Sequence, residues 1–236
     1  MRRNVSIKII AAATGLVFLI LSSESVAATG EKFSSEAEKE SYSLGVVVAS
    51  QAMSGLGEVD TEAFVAGVSD VLRKNDFALD DAEIQQSLTR FDERRAEKAQ
   101  LELASVIESN RIAGDAFRKN FSEDPAVETL ESGLQYKVIQ AGKGNVPSGD
   151  DTVTIHYRGA LVDGREIDSS YNRNEPVTIQ VDKVIPGWTE ALTRMPVGSK
   201  WQVVIPPDMA YGDLGAGDMV EPGSTVVFEM ELISTS

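Results

Sequence analysis

The sequence predicts an α+β protein in which an all-helical N-terminal region and a long connecting helix precede a curved antiparallel sheet wrapped around one short helix. Three observations predict it. Through about residue 121, apolar side chains recur at spacings of three and four, the period of a helix with one apolar face. From residue 133 onward, β-branched residues alternate with others, and glycines or prolines interrupt roughly every eight to twelve residues, as strands and turns require. In that second half only residues 188–194 read as helix, so the sheet has a single helix to curl around.

A chain of 236 residues suffices for one large or two ordinary domains, and the composition is that of a soluble globular protein. The formal charge of −15 argues against nucleic acid or an anionic membrane surface as the main partner, since both would repel it. Acidity that only aids solubility is the plainer reading. At the N-terminus, Arg2, Arg3 and Lys8 form a basic region, residues 9–21 an apolar run, and Ser25-Val26-Ala27-Ala28 a small-residue segment suited to cleavage after Ala27 or Ala28. The apolar run falls short of the ~20 residues that span a bilayer. Residues 1–28 therefore read as a cleaved export signal, with no integral membrane span in the mature chain. Its removal takes away Arg2, Arg3, Lys8 and Glu24, a net +2, and leaves −17. The absence of cysteine excludes a lipidated N-terminal Cys and any disulfide scaffold, so the mature protein must hold together by packing.

The first helix is expected over residues 34–53, with Ser34 or Ser35 as N-cap and Glu36, Glu38 and Glu40 where the helix dipole favours carboxylates. Tyr42, Val46, Ala49 and Met53 share one face. Ser41, Gly45, Ala49 and Ala52 keep the adjoining surface low, which suits close approach of another helix, and Gly55-Leu56-Gly57 ends the element. A second helix, residues 61–74, starts at the Asp60 cap and gathers Phe64, Val68, Val71 and Leu72. Two such helices make a small core, so a homodimer pooling two copies of residues 29–80 is physically sensible.

The third helix runs from Asp80 or Asp81 to about Asn120 without proline, roughly 60 Å at 1.5 Å per residue. Ile84, Leu88 and Phe91 make one end amphipathic; Leu103, Val106, Ile107, Phe117 and Phe121 do so at the other. Residues 92–100 are almost all charged, polar or Ala, with Glu93 and Glu97 near Arg94, Arg95 and Lys98. That is the pattern of a solvent-bridging connector, here residues 81–121, with a break near Gly114 as the alternative. Residues 122–132 are acidic and irregular and read as a linker. In the remaining domain, 133–236, strands are expected at 133–139, 151–161, 177–181, 201–205 and 224–233, with Val162-Asp163-Gly164-Arg165 as a tight turn.

The usual catalytic constellations are missing. The lone His156 sits on a strand without a nucleophile or metal-ligand partner at motif spacing, and reads as a satisfied structural residue. The glycines at 212, 215 and 217 follow a tyrosine in a loop and suit an irregular turn rather than a phosphate cradle. No metal or other cofactor is implied.

Against that background, a series of short runs stands out in order and spacing. They are Gly133-Leu134-Gln135-Tyr136, His156-Tyr157-Arg158-Gly159, Asp163-Gly164, Asp168-Ser169-Ser170, Val184-Ile185-Pro186-Gly187-Trp188, Met195-Pro196-Val197-Gly198, Ala210-Tyr211-Gly212 and Val226-Val227-Phe228. Together they resemble FKBP-type peptidyl-prolyl cis-trans isomerases. The helical first half is similar to the exported Mip and FkpA-like subgroup, whose N-terminal helices dimerise. The resemblance implies an FKBP domain over residues 133–236 and an isomerase acting on proline-containing unfolded or partly folded exported proteins. It also implies a homodimer formed through the N-terminal helices. By position, Asp168, Tyr211 and Trp188 are the implied catalytic residues, with Tyr157, Ile167, Val177, Val184, Ile185 and Phe228 around the substrate. Trp188 would be the floor, Tyr157 and Phe228 walls, and Val184 and Ile185 the rim, with the Ile185 N–H offered to a substrate carbonyl. Each apolar member would singly be read as core. Asp168 has a competing role as a turn-capping carboxylate before Ser169.

Two positions depart from the family pattern: Ile167 and Val177 stand where Phe is common. Smaller aliphatic walls imply lower isomerase efficiency and weaker binding of macrolide inhibitors than in a typical member. A holdase chaperone or interaction module with a weakened or vestigial pocket is the alternative. Export implies the periplasm; association with the outer membrane or cell surface stays open.

Overall fold

The computed structural model describes residues 33–57 and 59–236; residues 1–28, read from sequence as an export signal, lie outside them. The chain divides into two compact units between Ala78 and Leu79. Among the described residues no helix is long and apolar enough to cross a membrane.

The first unit contains α1 (Glu36–Leu56) and α2 (Thr61–Arg73). Local chemistry fixes their starts. Ser35 Oγ accepts from the Glu38 N–H at 3.2 Å, and the Glu38 carboxylate accepts from the Ser35 N–H at 2.9 Å, a reciprocal capping box. Asp60 caps α2 by accepting from the Ala63 N–H at 2.8 Å. Burial is scarce here. Residues 36–53 are all exposed and no residue of α2 is buried. Tyr42, Val46, Val68, Val71 and Leu72 all remain open to solvent within one chain.

The second unit opens with α3 (Asp81–Phe121), a continuous helix of 41 residues capped by the Asp80/Glu83 box. It does not break at Gly114, which is buried. In its polar middle the ion pairs include Arg95–Asp92 and Lys98–Glu102, both at 4.0 Å. Such exposed pairs add little stability each.

Among the described residues seven strands form one antiparallel sheet: β1 (Val127–Thr129), β2 (Gln135–Gln140), β3 (Thr152–Leu161), β4 (Glu166–Ser169), β5 (Val177–Gln180), β6 (Lys200–Ile205) and β7 (Val226–Thr235). Their order is β1-β2-β6-β7-β3-β4, with β5 also paired to β3. The expected count was about five. The additional β1 lies inside the stretch read as an irregular linker, where Val127 to Thr129 pair with Lys137 to Gln135. The additional β4 follows the tight turn and pairs Ser169 and Asp168 with Arg158 and Gly159. Alternation is clear on β7, where Val226, Phe228, Met230 and Leu232 are buried in turn. Across from them α4 (Pro186–Leu192) buries Trp188, Ala191 and Leu192. This helix begins two residues earlier than expected, because proline is well suited to the first helical position.

Candidate active site

Three aromatic side chains from three elements meet above the sheet. The first turn of α4 supplies Trp188, the middle of β3 supplies Tyr157, and β7 supplies Phe228. Trp188 stands edge-on to Tyr157 at 5.0 Å between ring centroids and 75°, and to Phe228 at 5.1 Å and 89°, the arrangement that ring quadrupoles favour. Phe228 lies opposite Gly159 in the β3–β7 register. A Cβ at Gly159 would collide with the Phe228 ring and crowd Ile167, so the glycine is what lets both side chains reach this wall.

The rings border a cavity of about 510 Å³. Of the residues expected around it, Tyr157, Ile167, Asp168, Val184, Ile185, Trp188, Tyr211 and Phe228 line it. Val177 does not. It is the first residue of β5, opposite Ile155 and packed on the core, and Ile155 precedes Tyr157 by two along β3. The register thus leaves Val177 one pleat short of the cavity, and its small size has no bearing on the wall. Lys183, Ala216, Met219 and Val220 line it in addition. The loop after Tyr211, read from sequence as an irregular turn, therefore contributes a wall.

Asp168 is the charged centre of the rim. The Tyr157 hydroxyl donates to its Oδ2, Arg173 Nη1 donates to Oδ1 at 2.5 Å, and the Ser169 N–H donates to Oδ1 at 2.7 Å. The last of these is the turn cap considered from sequence, so cap and rim are the same carboxylate. Arg173 Nη2 also donates to the Tyr157 hydroxyl at 2.9 Å, and its guanidinium stands 5.8 Å from the centre of that ring. Burial pushes the Asp168 carboxyl upward, but the hydrogen bonds from Tyr157, Arg173 and Ser169 outweigh it and hold the group below the usual carboxylate range. Burial, and then the Asp168 charge, push the Tyr211 phenol up, which keeps it a neutral donor. Among the described residues neither the Tyr211 hydroxyl nor the Ile185 N–H is engaged in a hydrogen bond, and the buried Trp188 indole N–H is likewise unpaired. His156, in contrast, is occupied structurally: Nδ1 lies 2.9 Å from Ser170 Oγ and the ring stacks on Tyr171.

The result is an aromatic cup with unengaged donors beside a carboxylate that Tyr157, Arg173 and Ser169 hold in its charged form. Residues 143–233 match the model of FKBP-type peptidyl-prolyl cis-trans isomerase, and residues 37–138 match that of the domain amino terminal to it. The chain is 38% identical over 208 residues to the FKBP-type peptidyl-prolyl cis-trans isomerase FkpA of Escherichia coli, covering 85% of this chain and 76% of that protein. It is 38% identical over 218 residues to the peptidyl-prolyl cis-trans isomerase Mip of Coxiella burnetii, covering 92% and 94%. The crystal structure of FkpA from Escherichia coli superposes with a TM-score of 0.75 at 36% identity over 86% of this chain and 98% of that one. The chain belongs to the FKBP-type peptidyl-prolyl cis-trans isomerases, and it is an enzyme of that class.

Sequence reasoning missed Arg173 and Lys183. Arg173 sits in a turn five residues beyond Asp168. Nothing in its local pattern marks it, since only the folded turn returns the guanidinium to the carboxylate.

Proposed function

We propose that this cavity is the isomerase site and that it accelerates rotation about X-Pro bonds in exported proteins without a covalent intermediate. The observation that carries the reading is the convergence of Tyr157, Trp188, Tyr211 and Phe228, from separate elements, on one cavity with Asp168 at its rim. Spontaneous rotation is slow because amide resonance raises a barrier of about 20 kcal/mol. A site that binds the twisted amide better than either planar form lowers that barrier. Here the prolyl ring rests on Trp188 between Tyr157 and Phe228. The Ile185 N–H and the Tyr211 hydroxyl are the donors for carbonyls of the substrate. Asp168, held ionised by Arg173 and Tyr157, supplies a fixed field beside the rotating group. The apolar walls favour the twisted state, whose carbonyl has lost resonance polarity.

The test is the isomerase rate of the purified full chain on proline tetrapeptides. Trp188→Leu and Asp168→Asn should each lower kcat/KM by about tenfold or more, on the order of 1.4 kcal/mol of transition-state stabilisation. Rates equal to wild type in both variants would sink the assignment of the site.

The exposed apolar faces of α1 and α2 support a homodimer formed through the first unit, since each chain alone leaves them in water. The same faces also suit a holdase that grips unfolded chains. Suppression of client aggregation separates the two activities. If it survives in Trp188→Leu while isomerisation is lost, holding resides outside the pocket. The export signal read at residues 1–28 supports the periplasm as the place of action.

A further inference from the structure

The segment between β6 and β7 contributes Tyr211, Ala216, Met219 and Val220 to the cavity, and it is not held by the sheet. Its own backbone bonds close it on itself: the Gly212 N–H reaches the Pro207 carbonyl at 2.8 Å, and the Ala216 N–H reaches that of Val220 at 2.8 Å. Val220 anchors it in the core and Arg165 pairs with Glu221 at 3.2 Å; the stretch around Tyr211 is tied in addition by α3. Arg111 Nη2 lies 2.8 Å from Asp208 Oδ1 and 2.8 Å from Asp213 Oδ1, and Arg111 Nε donates to the same Asp213 oxygen at 3.2 Å. The two aspartates bracket Tyr211 in sequence, so one guanidinium holds the chain on both sides of that residue. The adjacent Asn110 Nδ2 donates to the Pro222 carbonyl at 2.9 Å, and further along the helix Arg118 donates to Thr225 Oγ1.

Ion pairs of this exposure contribute little to global stability: the Asp208 and Asp213 side chains are 74% and 54% exposed. Two features set this one apart. The planar fork engages two carboxylates at once, through Nη2 to both and Nε to Asp213, a fixed geometry that a flexible lysine ammonium matches only in part, and the loop it fixes is glycine-rich and carries a side chain lining the cavity. A weak clamp on a mobile-prone loop controls geometry rather than folding.

We propose that Arg111 of the long helix is a positioning residue for the isomerase site, acting by holding the 208–213 loop so that Tyr211 stays over the cavity. The inference rests on the reading that the cavity is the isomerase site. Its consequence is that the C-terminal part of α3 belongs functionally to the site and does more than connect.

The experiment is a double-mutant cycle on the full chain, with kcat/KM on one proline tetrapeptide as the readout. Arg111→Ala should lower it roughly three- to tenfold, Arg111→Lys should recover only part, and Tyr211→Phe should cost a comparable factor. Because Arg111 acts through Tyr211, adding Arg111→Ala to Tyr211→Phe should produce little further loss. Amide hydrogen exchange should quicken at residues 208–220 in Arg111→Ala while the β3 and β7 amides stay protected, which separates a loosened loop from a destabilised fold. Lys137→Ala, which breaks the remote Lys137–Asp124 pair, should leave the rate unchanged. A rate for Arg111→Ala within twofold of wild type, or losses that multiply in the double variant, would overturn the proposal. If Trp188→Leu also left the rate intact, the site assignment itself would be at fault; a damaged Trp188→Leu beside an unaffected Arg111→Ala faults only the positioning role.

Discussion

Asp168 shows how one side chain satisfies two demands. It caps the Ser169 amide, and it presents charge at the cavity through a network that keeps it ionised. Its folded-state pKa lies below its unfolded value, so the interactions that depend on its charge are complete above about pH 4, the ordinary aspartate range, and are lost only as pH falls through the lower folded value. The isomerase rate, corrected for the substrate, is therefore expected to be level between about pH 5 and pH 8. A protease-free assay across that range checks it; an inflection near pH 6 would mean that Asp168 does not set the titration of the site. At this level the sequence was readable wherever a side chain is placed by its own strand or helix, as with Tyr157, Trp188 and Phe228. It was unreadable for Arg173 and Arg111, whose partners are brought to them by turns or by segments about a hundred residues away.

The helices announced themselves through their caps. Asp60 and Asp80 are local signals that need no tertiary partner, and both helices start where those residues predict. The short strands did not. β1 and β4, of three and four residues, exist because β2 and β3 pair with them, and nothing in so few residues carries a period. Gly114 is the instructive intermediate. In an exposed helix Gly→Ala would stabilise by about 1 kcal/mol through propensity. Here a Cβ would collide with the Thr225 side chain, which is almost fully buried. Gly114→Ala is therefore expected to lower the urea midpoint of the second unit, with a cost of about 1–3 kcal/mol from overpacking. A raised midpoint would show that the helix and Thr225, just before β7, are not in tight contact in solution. The glycine that looked like a potential break is a contact surface.

The two compact units differ in what they bury. From Leu79 onward the chain has its own core, whereas the helices before it have almost none. Association through the first unit follows as an expectation: the full mature chain should be dimeric by light scattering, and a chain beginning at Leu79 should be monomeric and still folded. A monomeric full-length protein would show that the exposed faces of α1 and α2 serve another partner. Periodicity made the apolar stripes of α1 and α2 visible but left open whether a core or a partner covers them, because a stripe looks the same in either case.

The chain has two tryptophans, and they occupy unlike surroundings. Trp188 lines the cavity, while Trp201 on β6 stacks on Tyr136 at 4.2 Å between centroids. The molecule thus carries two native fluorophores, one answering to occupancy of the cup and one to the integrity of the sheet. Substituting either by Phe isolates the other, so ligand entry and unfolding can be followed optically as separate events in a protein with no cysteine to label.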